Sequence, residues 1–125
     1  MSQRVRAIRG ATTLAEDDAE MIIHATQELL EDVIACNQLL HDDMVSIIFT
    51  ATADLTAEFP AVAARRMGLV SVALICAQEI PVQGSLPLCV RLMLHAYMPT
   101  DRPVRHSYLR EAVRLRDDLA AGEPT

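Results

Sequence analysis

The stretch Leu88-Cys89-Val90-Arg91-Leu92-Met93-Leu94 is apolar except for a single arginine. A short apolar run of this kind predicts a largely buried strand, as found at the centre of an α/β sheet. An arginine in such a strand needs an anionic partner, because an unpaired guanidinium away from water is costly and does not lose its proton. Arg91 therefore predicts either an ion pair with a protein carboxylate or a binding site for a small acid.

The sequence on either side of this stretch predicts further strands of the same sheet. Alternation of apolar and polar residues indicates the first strand, and enrichment in Ile, Val and Phe indicates the second. A loop containing Pro81, Gly84 and Pro87 separates the third strand from the fourth. The predicted strands are Arg4–Thr12, Val45–Ala51, Leu69–Cys76 and Leu88–Tyr97.

Three helices are predicted between and after these strands. The first has the acidic cluster at 16–18 in its N-terminal turn and extends to about Cys36, and a short second one lies between Phe59-Pro60 and Gly68. Asp101 is expected to cap a third, which runs from near Pro103 to about Arg114. The order βαβαββα predicts an α/β domain around a mixed sheet, because the direct link between strands three and four allows an antiparallel pair.

The length and composition limit the class of protein. The 125 residues predict one domain over 1–125, with a flexible tail from about residue 117. Half of the residues are hydrophobic but only four are aromatic, so an apolar surface is expected to pack against other copies of the chain. The net charge of −6 argues against nucleic acid and anionic membranes as partners.

The chain is also expected to be soluble and cytoplasmic. No run of 18 uninterrupted apolar residues occurs, and the N-terminus leads into no secretory segment. The three cysteines, Cys36, Cys76 and Cys89, are odd in number and widely spaced, which fits reduced thiols better than disulfides.

The inventory of reactive residues excludes several mechanisms. All eleven basic residues are arginines, so no catalytic lysine or Schiff base exists. The sequence contains no Gly-rich phosphate loop, no G-x-S-x-G elbow and no paired His or Cys ligands for zinc. No metal or cofactor is therefore expected. The remaining polar residues predict a site that binds and polarises its ligand without an evident nucleophile.

The candidate site residues lie where strands end or a helix presents one face, which are usual positions for ligand contact. They are Arg9, Cys76, Glu79 and Arg91, Tyr108 on the last helix one turn after Arg105, and Phe59, Ala61 and Arg65 on or beside the short helix. Each also has a structural interpretation. Arg91 and Glu79 would form an internal ion pair, Tyr108 and Cys76 would belong to the core, and Arg65 would be a solvated surface charge.

Several short motifs, in order, resemble the AroH-class chorismate mutases from Arg4 to Leu119. They are Ile8-Arg9-Gly10-Ala11-Thr12-Thr13, Phe59-Pro60-Ala61, Cys76-Ala77-Gln78-Glu79, Val90-Arg91, Arg105-His106-Ser107-Tyr108-Leu109 and Leu115-Arg116. The resemblance implies a homotrimer whose sheets pack into a pseudo-α/β-barrel, with active sites between neighbouring subunits. It also implies the Claisen rearrangement of chorismate to prephenate in phenylalanine and tyrosine biosynthesis. That pericyclic step needs no nucleophile, base or metal.

The resemblance further implies a role for each matching residue. Arg91 contacts the ether oxygen, Arg9 holds a carboxylate with help from Tyr108, and Glu79 accepts the hydrogen bond of the ring hydroxyl beside Cys76. The walls of the cleft are expected to consist of Phe59, Ala61, Leu74, Ile75 and Leu115. Attraction of the dianionic substrate is expected from Arg65 and Arg116. Arg9, Arg91 and Tyr108 would come from one subunit, and Phe59, Arg65, Cys76 and Glu79 from its neighbour.

Some positions depart from the family pattern, and two other functions stand as alternatives. The departures are Val62 in place of a charged side chain, Ile75 in place of a threonine, and a 98–103 loop about one residue shorter. One alternative is a non-catalytic trimer that binds a small carboxylate. The other is an imine deaminase of the RidA type, whose sequence pattern is not found here.

Overall fold

Five strands form one mixed sheet in the computed structural model, which describes residues 2–115. The strands are β1 (Gln3–Thr13), β2 (Met44–Ala51), β3 (Ala73–Gln78), β4 (Cys89–Pro99) and β5 (Ser107–Tyr108). Their order across the sheet is β3-β2-β4-β1-β5. Strand β4 is antiparallel to both β1 and β2, whereas β3 is parallel to β2 and β5 is parallel to β1. The mixed α/β sheet predicted from the sequence is confirmed.

Two helices, α1 (Ala19–Cys36) and α2 (Ala61–Arg66), cover one face of this sheet. Helix α1 begins after Asp18, whose carboxylate accepts a hydrogen bond from the Met21 backbone N–H at 3.0 Å. Gly68, at φ +84°, reverses the chain after α2, as the sequence predicts. Among the described residues, no helix has both the length and the apolar character needed to cross a membrane.

The main hydrophobic core lies between the helices and the covered face of the sheet. Alternate residues of the strands point into it, because side chains of a strand alternate between the two faces. Its largest fully buried members are Ile8, Leu29, Leu30, Val33, Ile47, Phe49, Leu69, Leu94 and Met98. Gly10 on β1 allows α1 to approach closely, since a Cβ there would lie 3.2 Å from Leu29 Cδ1.

The opposite face of the sheet, which we call the open face, is covered by neither helix. Several of its side chains are apolar yet substantially exposed: Val5 (46%), Ile48 (39%), Ile75 (61%), Met93 (37%) and Tyr97 (48%). The stretch around Arg91 is therefore not buried on both sides. Val90, Leu92 and Leu94 point into the core, while Arg91 and Met93 lie on the open face, because β4 alternates between a covered and an uncovered side.

The predicted arrangement of the third and fourth strands is wrong in two respects. Strand β3 pairs only with β2 within the described sheet, so β2 separates it from β4. Strand β3 also begins at Ala73 rather than Leu69. The residues from 69 form a turn against the end of α2, where the Leu69 N–H donates to the Ala64 carbonyl at 3.1 Å. Strand β3 ends at Gln78, so Cys76 lies inside the strand and not at its end.

The predicted third helix is also wrong. Residues 103–106 are irregular, Ser107–Tyr108 form the edge strand β5, and only Arg110–Leu115 adopt a short 3₁₀ helix. Tyr108 therefore lies on a strand opposite Ala11. The prediction failed because hydrogen bonds from distant residues hold this segment extended, and they outweigh its local preference for a helix.

Asn37 supplies several of those hydrogen bonds. It is fully buried just after α1, and its amide donates to the Val33 carbonyl at 2.9 Å and to the Arg105 carbonyl at 2.8 Å. Its side-chain oxygen accepts from the Arg105 backbone N–H at 2.9 Å, and its own carbonyl accepts from Arg102 at 3.2 Å. Asn37 thus attaches the segment that carries Tyr108 to the end of α1.

We expect Asn37→Ala to lower the free energy of unfolding by about 2 kcal/mol or more, because it removes the two hydrogen bonds that join the Asn37 amide to the Arg105 backbone. Urea denaturation of the wild type and the variant measures this loss. Glu31→Ala, on the exposed face of α1, is the matched control and should change stability by less than about 0.5 kcal/mol. Equal unfolding midpoints for all three proteins would contradict the anchoring role of Asn37.

Candidate active site

A cavity of about 340 Å³ lies on the open face, over the centre of the sheet. This size is within the range of small-molecule sites. We call it the first cavity. It combines two arginines and a phenol with apolar side chains, so it can hold an anion and an apolar ring together. Its lining consists of Arg9, Gly10, Ala11, Ile48, Thr50, Arg91, Leu92, Met93, Tyr108 and Leu115.

The register of the sheet places Arg91 in the first cavity. Arg91 lies on β4 directly opposite Ala11 of β1 and Thr50 of β2, with its side chain on the open face. Its side chain is 40% exposed, and its Nε lies 3.6 Å from Glu79 Oε2. That nitrogen is buried and makes no hydrogen bond within the described residues. Arg91 therefore has both of the features predicted for it, a protein carboxylate beside it and an open cavity in front.

Glu79 is held just after β3 by contacts to β2. Its backbone N–H donates to the Ala51 carbonyl at 2.9 Å, and its carboxylate accepts a hydrogen bond from the Thr50 hydroxyl. The resemblance implied that Glu79 enters the cleft from a neighbouring subunit. The structure instead places it beside Arg91 of the same chain, so Glu79 and Arg91 belong to the same half of the site.

Arg9 and Tyr108 form the other polar wall of the first cavity. The Arg9 Nη2 donates to the Tyr108 hydroxyl at 2.9 Å. This contact exists because β5 pairs with β1 and brings Tyr108 opposite Ala11, two residues beyond Arg9. The phenol keeps the guanidinium in place at the cavity wall, which is a suitable arrangement for binding a carboxylate.

His106 contacts the same arginine from its other side. The Arg9 backbone N–H donates to His106 Nδ1 at 2.9 Å, so the ring is neutral at that nitrogen. Burial and, to a smaller extent, the positive charge of Arg9 lower the pKa of His106 below its usual value of 6.5. The folded protein therefore favours the neutral imidazole.

Behind Arg91, a small apolar cluster backs the first cavity. Cys89, Ala11 and Ala112 are its buried members, and Tyr108 and Leu115 pack against them. Burial raises the pKa of the Cys89 thiol, although the neighbouring Arg91 opposes this with a smaller effect. Cys89 is thus an uncharged, apolar part of the wall and not a nucleophile.

A second cavity, of about 350 Å³, lies at the end of β2 and β3. Phe59 and Cys76 contribute to it, together with the loop between β2 and α2. Phe59 is 65% exposed, whereas Cys76 is partly buried and packs against the main core. Thr50 lines both cavities, so they adjoin each other at this residue.

The remaining predicted site residues line neither cavity within the single chain. Ala61 is buried in the main core and Leu74 packs against it. Ile75 is exposed on the open face, and Arg65 is exposed on α2. Arg116 lies outside the described residues, as does the predicted tail. The roles of these residues stay predictions, and for the exposed ones they require a neighbouring subunit.

The sequence analysis missed several residues of the first cavity, namely Ile48, Thr50 and Met93, and the two that support it, Cys89 and His106. Alternation along β2 puts Ile48 and Thr50 on one face, but only the pairing of β2 with β4 brings that face to Arg91. No local pattern signals this pairing. Among the described residues, no group of three His, Cys, Asp or Glu side chains could hold a metal ion.

Comparisons with known proteins give matches over almost the whole chain. The family model described as chorismate mutase type I matches residues 5–119. The chain is 49% identical over 123 residues to a protein named chorismate mutase AroH from Thermus thermophilus, covering 95% of this chain and 99% of that one. It is 41% identical over 124 residues to a protein of the same name from Bacillus subtilis, covering 97% of each.

A solved structure is similar to this chain in both fold and sequence. The chorismate mutase from Clostridium thermocellum superposes with a TM-score of 0.83 and 48% sequence identity. The match covers 87% of this chain and 98% of that one.

The contact between Arg9 and His106 predicts a dependence of stability on pH. Because the pKa of His106 is lower in the folded than in the unfolded chain, the unfolded chain binds a proton first as the pH falls. This contribution to stability is complete above pH 6.5 and is lost as the pH falls through the lower, folded pKa. His106→Asn keeps a neutral acceptor near Nδ1, so we expect it to remove this dependence.

Urea midpoints of both proteins, measured from pH 8 to pH 5, test this prediction. The wild type should lose stability relative to His106→Asn as the pH falls below 6.5. A difference between the two proteins that is the same at every pH would contradict it.

Proposed function

The chain belongs to the type I chorismate mutase family, and we propose that it converts chorismate to prephenate in a cleft built around Arg91. The observation that carries this proposal is the first cavity, where Arg9 and Arg91 meet an apolar lining. Chorismate has two carboxylates and an ether bridge on a six-membered ring. Two guanidinium groups beside an apolar wall complement such a dianion.

The reaction is an intramolecular Claisen rearrangement, in which one C–O bond breaks while one C–C bond forms. No proton is transferred and no covalent adduct forms, so a site that only binds and polarises is sufficient. Negative charge grows on the ether oxygen as the C–O bond breaks. In this proposal Arg91 stabilises that charge, and such a contact raises turnover because it is stronger in the transition state than in the substrate.

The other residues bind and orient the substrate. Arg9, held by Tyr108, receives a carboxylate, and Glu79 accepts the hydrogen bond of the ring hydroxyl. The apolar lining then favours the compact conformer in which the two carbons to be joined lie close together. A rate gain of about a million-fold requires about 8 kcal/mol, which conformer selection and a preorganised arginine can supply together.

We further propose that the active form is a trimer. An apolar open face is costly to leave in water, and packing against other copies would cover it. A neighbour's second cavity, with Phe59 and Cys76, would then close the first cavity from outside, and Arg65 and Arg116 would attract the dianion at its mouth. The three free thiols fit a reducing cytoplasm, where the enzyme acts as an isomerase in phenylalanine and tyrosine biosynthesis.

The activity is tested by adding the purified protein to chorismate and following the loss of its ultraviolet diene absorbance. Prephenate is confirmed by acid conversion to phenylpyruvate. Calorimetric binding of prephenate without turnover of chorismate would instead indicate a non-catalytic carboxylate-binding protein.

Replacing Arg91 tests its role. We expect Arg91→Ala to lower kcat by about a thousand-fold or more, because the growing charge on the ether oxygen loses its counter-charge. Arg91→Lys, which keeps the charge but not the planar fork, should recover part of the loss. Arg66→Ala removes an arginine whose partner is Glu20 on the surface and should leave kcat unchanged. A near-normal kcat for Arg91→Ala would remove Arg91 from the mechanism.

Assembly is tested by sedimentation. The wild type is expected to sediment as three copies, and Tyr97→Asp to shift it towards smaller species, because a carboxylate would be buried on the open face. Val70→Asp is the matched control, since Val70 is 87% exposed and lies outside the open face. A wild type that sediments as a monomer would refute the trimer.

A further inference from the structure

We propose that Thr50 is a positioning residue of this site. Its hydroxyl holds the Glu79 carboxylate so that Arg91 keeps the outer nitrogens of its guanidinium for the ligand. This inference rests on the proposed function and adds a residue to the same site.

The sheet places Thr50 where it can act on both charged groups. Thr50 lies directly opposite Arg91 in the pairing of β2 with β4. It also immediately precedes Ala51, whose carbonyl accepts the Glu79 backbone N–H. One residue of β2 therefore adjoins the arginine on one side and the glutamate on the other, and it lines both cavities.

A single oxygen of Glu79 is shared between these neighbours. Oε2 accepts the hydrogen bond from the Thr50 hydroxyl, and the same Oε2 is the atom nearest to Arg91 Nε, at 3.6 Å. At that separation the contact is electrostatic and Nε makes no hydrogen bond within the described residues. The Thr50 hydroxyl thus keeps the Glu79 carboxylate close enough to attract the Arg91 guanidinium, but not in a geometry that forms two parallel hydrogen bonds with it.

The alternative geometry would be harmful to the site. Arginine and a carboxylate form a two-bond, parallel pair when nothing prevents it, and this pair is the stronger arrangement. Such a pair between Glu79 and Arg91 would occupy guanidinium nitrogens that the ligand needs and would neutralise the charge that faces the cavity. Holding the carboxylate by a hydroxyl on the neighbouring strand prevents this collapse.

The substitution Thr50→Val tests the inference, because valine has nearly the same shape and no hydroxyl. We expect kcat to fall about tenfold or more, with a smaller change in KM, since the contact to the ether oxygen is made mainly in the transition state. Thr50→Ser restores the hydroxyl and should return kcat to within about twofold of the wild type. Ser46→Ala, which removes another hydroxyl of β2 that contacts His95, is the control and should not change kcat.

A double-mutant cycle separates positioning from a merely structural effect. If Thr50 acts through Glu79, then Thr50→Val should have little further effect in a Glu79→Gln protein, because the two changes are not independent. An equal loss of kcat on Thr50→Val in the wild-type and the Glu79→Gln proteins would overturn the inference. A kcat for Thr50→Val within twofold of the wild type would overturn it as well.

The test also distinguishes failure of this inference from failure of the proposed function. If the wild type does not form prephenate, the proposed mutase activity is wrong. The same variants are then compared by calorimetric binding of prephenate. A loss of affinity in Thr50→Val that Thr50→Ser reverses would support the positioning role, and unchanged affinity would overturn it.

Discussion

The site depends on a positive charge that is held in the middle of a sheet without being neutralised. Arg91 lies on β4, between β1 and β2, and within residues 2–115 its one ion pair is the 3.6 Å contact of its Nε with Glu79 Oε2. A guanidinium this close to apolar side chains is stable only with an anion nearby. Because Glu79 is engaged by Thr50, it supplies that anion without occupying the whole guanidinium.

The second arginine is positioned by an unrelated part of the chain. Arg9 is held by Tyr108 and His106, both on the segment that Asn37 anchors to the end of α1. A buried amide more than sixty residues away in sequence therefore determines where the phenol lies. This explains why the segment is extended although its sequence favours a helix.

The open face and the two cavities are accessible in the single chain. Each cavity is open on one side, and the apolar residues around them are exposed in the single chain. The proposed trimer explains both observations at once, since one copy's second cavity would complete the first cavity of its neighbour. It also gives a role to Phe59 and Arg65, neither of which lines the first cavity within one chain.

The amino-acid sequence by itself determined the mixed α/β class, the places of β1, β2, β4 and both helices, and the position of Arg91 within an otherwise apolar strand. These follow from hydrophobic periodicity, caps and turn residues, which are local. Only the tertiary structure decided the insertion of β2 between β3 and β4, the strand at Ser107–Tyr108 and the pairing of Thr50 with Arg91. Strand order and register depend on contacts between distant residues, and no local pattern encodes which strands become neighbours.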